Sequence, residues 1–346
     1  MAFTVAVVMP LQGAGGLYAP SAEALIDLAV EEINADGGVG GKPLETVIVD
    51  AGLPLAQVRN ELRTLLGQAK IQAVSGWHVS TVRHAIAPLL KDRVPYVYPA
   101  VYEGGEGRAG IYCTGEVPAR ALKPAMRWLD RHRGVRRWFV VGDDYVWPRQ
   151  TLAQVKGYAA NLSIKIAGSF FVQEPGHVPR ALEAIEASGC DGVLVLMVGQ
   201  NAVDFNRQFA RRGLHRRAAR LSPLMDESAL LASGPGATSN LFSTAGYFRS
   251  LATSGAVELL LRYQASQGRI APPLNSPAES SYEALHLLKH LVHRAGSAGT
   301  SAIDASINGS SYRTTRGMVA FEGNQLRQQV YLAEACGVDF VVVDSF

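Results

Sequence analysis

Residues 3–9 form a continuous apolar, β-branched run, the pattern of a strand buried on both faces of a parallel sheet. A Gly-containing loop follows over 12–18, and Ser21 is placed to N-cap a helix. In that helix Ala22, Leu25, Ile26, Ala29 and Ile33 share one face, Glu23, Asp27 and Glu31 lie opposite, and Gly37-Gly38 stops it. The alternation continues with strands over 44–49, 71–75 and 94–98 and helices over 56–66 and 80–90, the last capped by Ser80. The pattern then restarts. Helices over 119–132, 148–160, 178–187 and 202–212 alternate with strands over 136–141, 165–172, 192–196 and 220–224. Repeated strand–helix alternation predicts an α/β fold with two doubly wound parallel-sheet domains.

After residue 249 the alternation breaks. Helices are expected over 254–267 and 278–295, and β-like stretches over 329–335 and 340–343. The chain is therefore expected to cross back to the first domain and again to the second, near 118, 249 and 325. The expected domains are 1–118 with 250–325 and 119–249 with 326–346, joined by a multi-crossing hinge with a ligand cleft between them.

Composition narrows the class. Of 346 residues, 48% are hydrophobic and 18% charged, which excludes a disordered chain. A formal net charge of +3 is too even for a dedicated nucleic-acid binder. Cys113, Cys190 and Cys336 are far apart and form no CxxC pair, so neither a disulfide framework nor a zinc site is expected. No apolar run reaches 18 residues, so no membrane insertion is expected. The first residues lack a basic segment and a cleavage site, and read as a strand of a cytoplasmic protein. An exported protein without its leader reads the same way, and would be periplasmic or extracellular.

In doubly wound sheets ligands bind beyond the carboxyl ends of the strands. The corresponding loops span 10–20, 50–54, 76–80 and 98–106 in the first domain, and 142–148, 197–201 and 225–228 in the second. They hold Tyr18, Trp77, Tyr98, Tyr102, Tyr145 and Trp147, from a total of 11 Phe, 4 Trp and 12 Tyr. Such enrichment fits an aromatic-lined ligand pocket; aromatic packing at strand ends is the other reading. Ser80, beside Thr81, can offer a hydroxyl and helix N-terminal N–H groups to a carboxylate or carbonyl, or act as an ordinary cap. Asp226 opens a short helix with Glu227-Ser228, and can accept from a ligand N–H or from that helix.

Other motifs fail on inspection. Gly13-x-Gly15 has Tyr18 where a dinucleotide fingerprint needs its third glycine. Residues 37–43 precede a strand, and Pro43 replaces the Ser/Thr of a P-loop, so they form a helix-to-strand turn. His286, His290 and His293 share a helix face at metal-binding spacing, but no acidic or Cys partner is adjacent, and a solvated face is expected. Arg211, Arg212, Arg216, Arg217 and Arg220 read as a solvated turn. No GxSxG, HExxH or Cys–His arrangement is present, and the adjacent Asp143-Asp144 is a poor acid/base pair. Neither a catalytic residue nor a metal or cofactor is expected.

The chain resembles the type I periplasmic-binding-protein family over nearly its whole length. The segment Glu31-Glu32-Ile33-Asn34-Ala35-Asp36-Gly37-Gly38-Val39-Gly40-Gly41-Lys42-Pro43-Leu44 is similar to one found throughout its branched-chain amino-acid and amide-binding branch. Tyr98-Pro99-Ala100-Val101-Tyr102-Glu103-Gly104 and Asp144-Tyr145-Val146-Trp147-Pro148-Arg149 resemble segments of the amide sensors of amidase operons and of urea and short-chain amide receptors. The resemblance implies an interdomain ligand site with Ser80, Tyr98, Tyr145, the Val198-Gly199 turn and Met225-Asp226. Ala100-Val101, Trp147 and Trp77-His78 depart from the amide-sensor pattern, and added indole area suits a larger or more apolar ligand. The implied function is non-catalytic closure on a small amide-like ligand, in a cytoplasmic sensor read by an antitermination regulator protein. The alternative is the binding component of an ABC importer, read by its permease, for short-chain amides, urea or branched-chain amino acids. Neither reading has the chain touching nucleic acid.

Overall fold

The computed structural model describes residues 1–268 and 270–346. The chain divides into two compact units. Unit 1 is Met1–Ala100, Gly105–Gly115 and Ala252–Gln328; unit 2 is Val101–Gly104, Glu116–Leu251 and Gln329–Phe346. Val101–Gly104 thus groups with unit 2, where the sequence reading left it in the first domain. The Tyr102 N–H donates to the Glu116 carbonyl, which ties that short segment to the start of unit 2.

Unit 1 opens with β1 (Phe3–Met9), α1 (Ala19–Ala35), β2 (Leu44–Asp50), α2 (Leu55–Gly67), β3 (Ala73–Ser75), α3 (Ser80–Leu90), β4 (Tyr96–Tyr98) and β5 (Ile111–Cys113). These strands lie in the order β5-β4-β3-β1-β2, all parallel. Right-handed crossovers then place α1 on one face and α2 and α3 on the other. The strand order reverses between β1 and β3, which makes that point the topological switch of the sheet.

Unit 2 repeats the plan with α4 (Pro118–Arg133), β6 (Arg137–Asp143), α5 (Val146–Leu162), β7 (Lys165–Val172), α6 (Val178–Ser188), β8 (Gly192–Leu196), α7 (Gly199–Arg211), β9 (Ala219–Leu221), α8 (Glu227–Ser233) and β10 (Leu241–Ala245). Its parallel strands run β10-β9-β8-β6-β7, with the switch between β6 and β8. The core under α6 and α7 is aliphatic and aromatic: Phe139, Val141, Val193, Val195, Leu182, Phe205 and Phe209 are all buried there.

The chain then returns to unit 1 as α9 (Ser254–Gln267), α10 (Ser276–Ala295), α11 (Thr300–Ile307), β11 (Ser311–Thr314), β12 (Gly317–Glu322) and β13 (Gln325–Arg327). Helix α10 packs against α1. Strand β13 extends the sheet parallel to β5, and β12 and β11 follow antiparallel. Finally β14 (Tyr331–Cys336) and β15 (Asp339–Ser345) add an antiparallel edge to unit 2 beside β10.

Several local expectations need correction. Helix α1 starts at Ala19 after a 3₁₀ turn over Ala14–Tyr18, so Ser21 is internal and takes a hydrogen bond from the Asn275 amide instead of capping. Val79, not Ser80, is the N-cap of α3. Helix α5 begins at Val146, which puts Trp147 in its first turn. Strands β5, β10 and β11–β13 and helix α11 carry no alternation long enough to have been assigned from sequence. The turn after α1 is as expected: Gly38, at φ +73, lies so close to the Lys42 carbonyl that a Cβ would sit 1.9 Å from its oxygen.

Candidate functional site

In unit 1 the loops at the switch point carry Tyr18 and residues 76–80. Gly76 lets them converge: at φ +130 its Cα approaches β1 so closely that a Cβ would meet the Val8 oxygen at 2.2 Å. Trp77 follows, packed edge-on against Tyr18 with ring centroids 4.9 Å apart. Both rings are almost fully buried, at 5% and 2% exposure.

His78 is placed differently from the sequence expectation of a ligand contact. It is buried, and burial pushes its pKa down to about 3, with Val79 opposing the shift and the Arg83 charge adding to it. The ring is therefore neutral at physiological pH. Its Nδ1 faces the Val79 carbonyl at 3.2 Å and its Nε2 faces the Tyr96 hydroxyl at 2.8 Å. Only the tautomer with hydrogen on Nδ1 satisfies both: Nδ1–H donates to the carbonyl and Nε2 accepts from Tyr96. The Tyr98 hydroxyl donates to the His78 carbonyl at 2.8 Å. His78 thus serves as a strut between β4 and the loop after β3. Arg83, buried under the Tyr98 ring at 5.1 Å and 3.8 Å from Glu106, is a cation that the sequence reading missed. Ser80 sits in the first turn of α3 and Ala100 beyond β4, both buried.

In unit 2 the two switch-point loops are joined by Asp143. One carboxylate oxygen accepts from the Val198 N–H at 2.9 Å and the other from the Asn201 amide at 3.0 Å. Burial raises this carboxyl to about 6, and the two hydrogen bonds hold it from going further. Asp144, next in sequence, turns outward and accepts from Arg149 at 2.6 Å and Gln173 at 3.1 Å. Tyr145 then N-caps α5 and Trp147 lies in its first turn, ring centroids 6.3 Å apart. Tyr145 is half-buried, whereas Trp147 is buried. Val198 is the N-cap of α7 and Gly199 its first residue. Tyr102 is buried in this unit.

After β9, the Met225 carbonyl accepts from the Ser243 hydroxyl at 2.7 Å and its sulfur faces the Asn206 amide at 3.5 Å. Asp226 is a cap: one oxygen accepts from the Ala229 N–H at 2.8 Å. The other has no hydrogen-bond partner among the described residues, and burial raises the carboxyl to about 7. Glu227 behaves similarly. It accepts from the Arg249 N–H at 2.7 Å, and burial with the neighbouring Asp226 charge raises it to about 8. A sequence scan for strand-end acids finds Asp143 and Glu227, but not that both are buried.

Two expectations about charge change. Arg220 is buried, not solvated: it donates to the Asn206 amide oxygen and to the Ala237 and Ser239 carbonyls and stacks on Phe209. Arg211, Arg212, Arg216 and Arg217 are exposed or half-buried as expected of a turn. His286 does have an acidic neighbour, Glu32, at 3.5 Å. Among the described residues no group of three or more His, Cys, Asp or Glu is placed to hold a metal.

The strand ends thus offer hydroxyls, helix N-terminal N–H groups, aromatic faces and buried carboxyls, the groups from which small-ligand sites are built. A family model described as periplasmic binding protein matches residues 2–337. Solved structures share the fold at low identity. A solute binding protein of an ABC transporter from Rhodopseudomonas palustris HaA2, in complex with p-hydroxybenzoic acid, is 19% identical with a TM-score of 0.87, covering 100% of this chain and 97% of that one. The branched-chain amino acid transporter substrate binding protein of Streptococcus pneumoniae, in complex with isoleucine, is 18% identical with a TM-score of 0.84, covering 99% of each chain. A leucine binding protein from Thermotoga maritima is 19% identical with a TM-score of 0.84, covering 99% of this chain and 98% of that one. The two α/β units with their mixed sheets are the type I form of this fold.

Proposed function

The chain belongs to the periplasmic binding protein family, and from that premise we propose that it is the substrate-binding component of an ABC importer, taking a small organic acid or amino acid. The family match over residues 2–337 carries this reading. The solved structures named above that are in complex with p-hydroxybenzoic acid and with isoleucine support it. They favour import over the amide-sensor reading, which rests only on the short segments around Tyr98 and Tyr145. In this proposal the strand-end groups of both units take part: Tyr18, Trp77, Ser80 and Tyr98 from unit 1, and Tyr145, the Val198-Gly199 turn and Asp226 from unit 2. His78 is left out, because both its ring nitrogens are already bonded within the unit. A membrane permease is the partner that reads the loaded state.

A thermal-shift panel of benzoate, 4-hydroxybenzoate, leucine, isoleucine, acetamide and urea tests the proposal. A ligand at 100 times its Kd stabilises by about 2.7 kcal/mol. Stabilisation by an aromatic acid or amino acid supports import. Stabilisation by acetamide or urea alone returns the amide reading to first place.

A further inference from the structure

Thr315 and Arg316 form the turn of the β11–β12 hairpin, and both are bonded to the first half of α10. Arg316 donates from Nε to Glu279 at 2.8 Å and from Nη2 to the Ser280 hydroxyl at 2.6 Å. Its Nη1 donates to the Gln328 side-chain oxygen at 2.7 Å, and Gln328 donates in turn to the Thr114 carbonyl at 2.8 Å. The Thr315 N–H donates to Glu283 at 2.7 Å. Glu279 and Glu283 stand four residues apart on α10, so one helix face brings both carboxyls to the same turn. Glu279, Glu283, Thr315 and Arg316 are all buried. Gly255, in the first turn of α9, lets α9 close against the turn: a Cβ there would meet the Thr315 carbonyl oxygen at 2.5 Å. A cavity of about 1020 Å³, bounded by α9, α10 and the hairpin, reaches Glu283, Thr315 and Arg316 and gives solvent a path to them.

This buried set holds two carboxyls and one guanidinium. Arg316 forms its ion pair with Glu279, to which Nε and Nη2 both donate. The Thr315 hydroxyl is within hydrogen-bond distance of one oxygen of each carboxyl, at 2.7 Å from that of Glu279. A hydroxyl has one hydrogen, so it donates to one carboxyl at a time. The other contact is a hydrogen bond only when that carboxyl supplies a hydrogen of its own. A second buried negative charge with no cation of its own is also costly. Burial and the Glu279 charge push the Glu283 carboxyl up, against the Thr315 hydrogen bonds and Arg316. The other groups on this side do not supply the missing cation. On β11, burial and the Glu283 charge push the Tyr312 hydroxyl well up, which leaves it neutral. On α9, Arg262 is bonded to Glu32 at 2.7 Å and to the Tyr282 hydroxyl at 3.2 Å, and Glu258 is an acid. Further along α10, His286 faces Glu32 at 3.5 Å, Lys289 holds Asp36 at 2.6 Å, and burial favours the neutral form of His290.

We propose that Glu279 and Glu283 share one proton, and that this proton latches the β11–β12 hairpin onto α10. With the hairpin closed the pair binds the proton; with it open the carboxyls meet water and lose the proton near their ordinary value. The closed state therefore binds more protons, and closure weakens as pH rises through the ionisation of the pair. The bonded line from Arg316 through Gln328 to Thr114 leads to the two places where the chain leaves unit 1, after Gly115 and after Gln328. The latch does not depend on which ligand the strand-end loops take.

Hydrogen–deuterium exchange of the full chain, read by mass spectrometry from about pH 6 to about pH 9 and normalised to the intrinsic rate at each pH, tests it. Protection of peptides spanning β11 and β12 is expected to fall by at least about tenfold over this range. Protection of β1 and β2, in the same unit, is expected to hold. Glu283→Gln has the shape of the protonated acid and should fold, as circular dichroism checks. Its hairpin protection should stay level across the pH range. Glu279→Gln leaves Glu283 as the one acid for Arg316, and should also remove the pH dependence, so either variant alone makes the comparison. Constant hairpin protection in the parent overturns the proposal. So does a fall shared equally by β1 and β2, which is a loosening of the whole unit, or a fall that persists in the folded variants, which places the titrating group elsewhere.

Discussion

At the end of β9, Asp226 gives one oxygen to the Ala229 N–H while the other is buried without a partner. Its proton stays on to about pH 7 in the folded chain, whereas an unfolded aspartate loses it near 4. Between those values the native state binds more protons, so stability falls as pH rises. Asp143, at about 6, and Glu227, at about 8, act in the same direction. Asp226→Asn keeps an oxygen for the cap and removes the buried charge. Its unfolding free energy in urea should fall less steeply between pH 4 and 7 than that of the parent; an identical slope would mean that Asp226 ionises normally. Glu32 has the opposite sign. Burial alone would raise it, but hydrogen bonds from His286 and Tyr282, together with Arg262, hold it at about 2. Its contribution is present above about pH 4.5 and is lost as pH falls toward 2. Tyr145 is half-buried at the start of α5. Tyr145→Ala should weaken the panel ligand by about 2 kcal/mol or more, the scale of an aromatic hot spot, with little change in melting temperature. Unchanged affinity would remove Tyr145 from the site.

At the scale of elements, the two switch points are held by different means. In unit 1, Gly76 allows backbone to lie against backbone. Gly76→Ala would force a Cβ to within 2.2 Å of the Val8 oxygen at a φ of +130. We expect a loss of at least about 2 kcal/mol, read from the urea midpoint; a neutral result would mean that β1 and the loop after β3 do not approach this closely. In unit 2 a carboxylate performs the joining, as Asp143 ties the end of β6 to the start of α7. The strands that escaped the sequence reading were short or of mixed polarity. Strand β5 has three residues and follows Gly104, Gly105, Gly107 and Gly110. Strand β10 reads Leu-Phe-Ser-Thr-Ala, and all five positions are buried. Ser243 is buried there because its hydroxyl finds the Met225 carbonyl, a partner 18 residues away.

For the whole molecule, the decisive feature is that both units are assembled from separated segments. Unit 1 completes its sheet with β13 and covers α1 with α10, both from beyond residue 252. A fragment ending at residue 115 would lack α10, which packs against α1, and β13, which pairs with β5, and would leave apolar surface of α1 uncovered at about 25 cal/mol per Å². That fragment should therefore be unfolded by circular dichroism. Joining Gly115 to Ala252 through a short linker, which restores all three segments of unit 1, should recover a cooperative transition. A folded fragment would show that α10 is dispensable.

The sequence by itself determined the repeated strand–helix order, the two α/β units and the family resemblance. Those follow from local periodicity: an apolar run such as Phe3–Met9 and a 3.6-residue stripe such as that of α1 are legible wherever they occur. It also pointed to the strand-end loops, because the carboxyl ends of parallel strands are where such sheets bind ligands. Only the tertiary structure decided which groups in those loops are already committed. His78 is saturated by Tyr96 and Val79, and Arg220 is enclosed by carbonyls and Phe209. The cavity beside α10 likewise brings together side chains from positions 36–41, 253–262, 282–293 and 312–318. Burial and hydrogen-bond partners depend on residues far apart in the chain, and no local pattern encodes them.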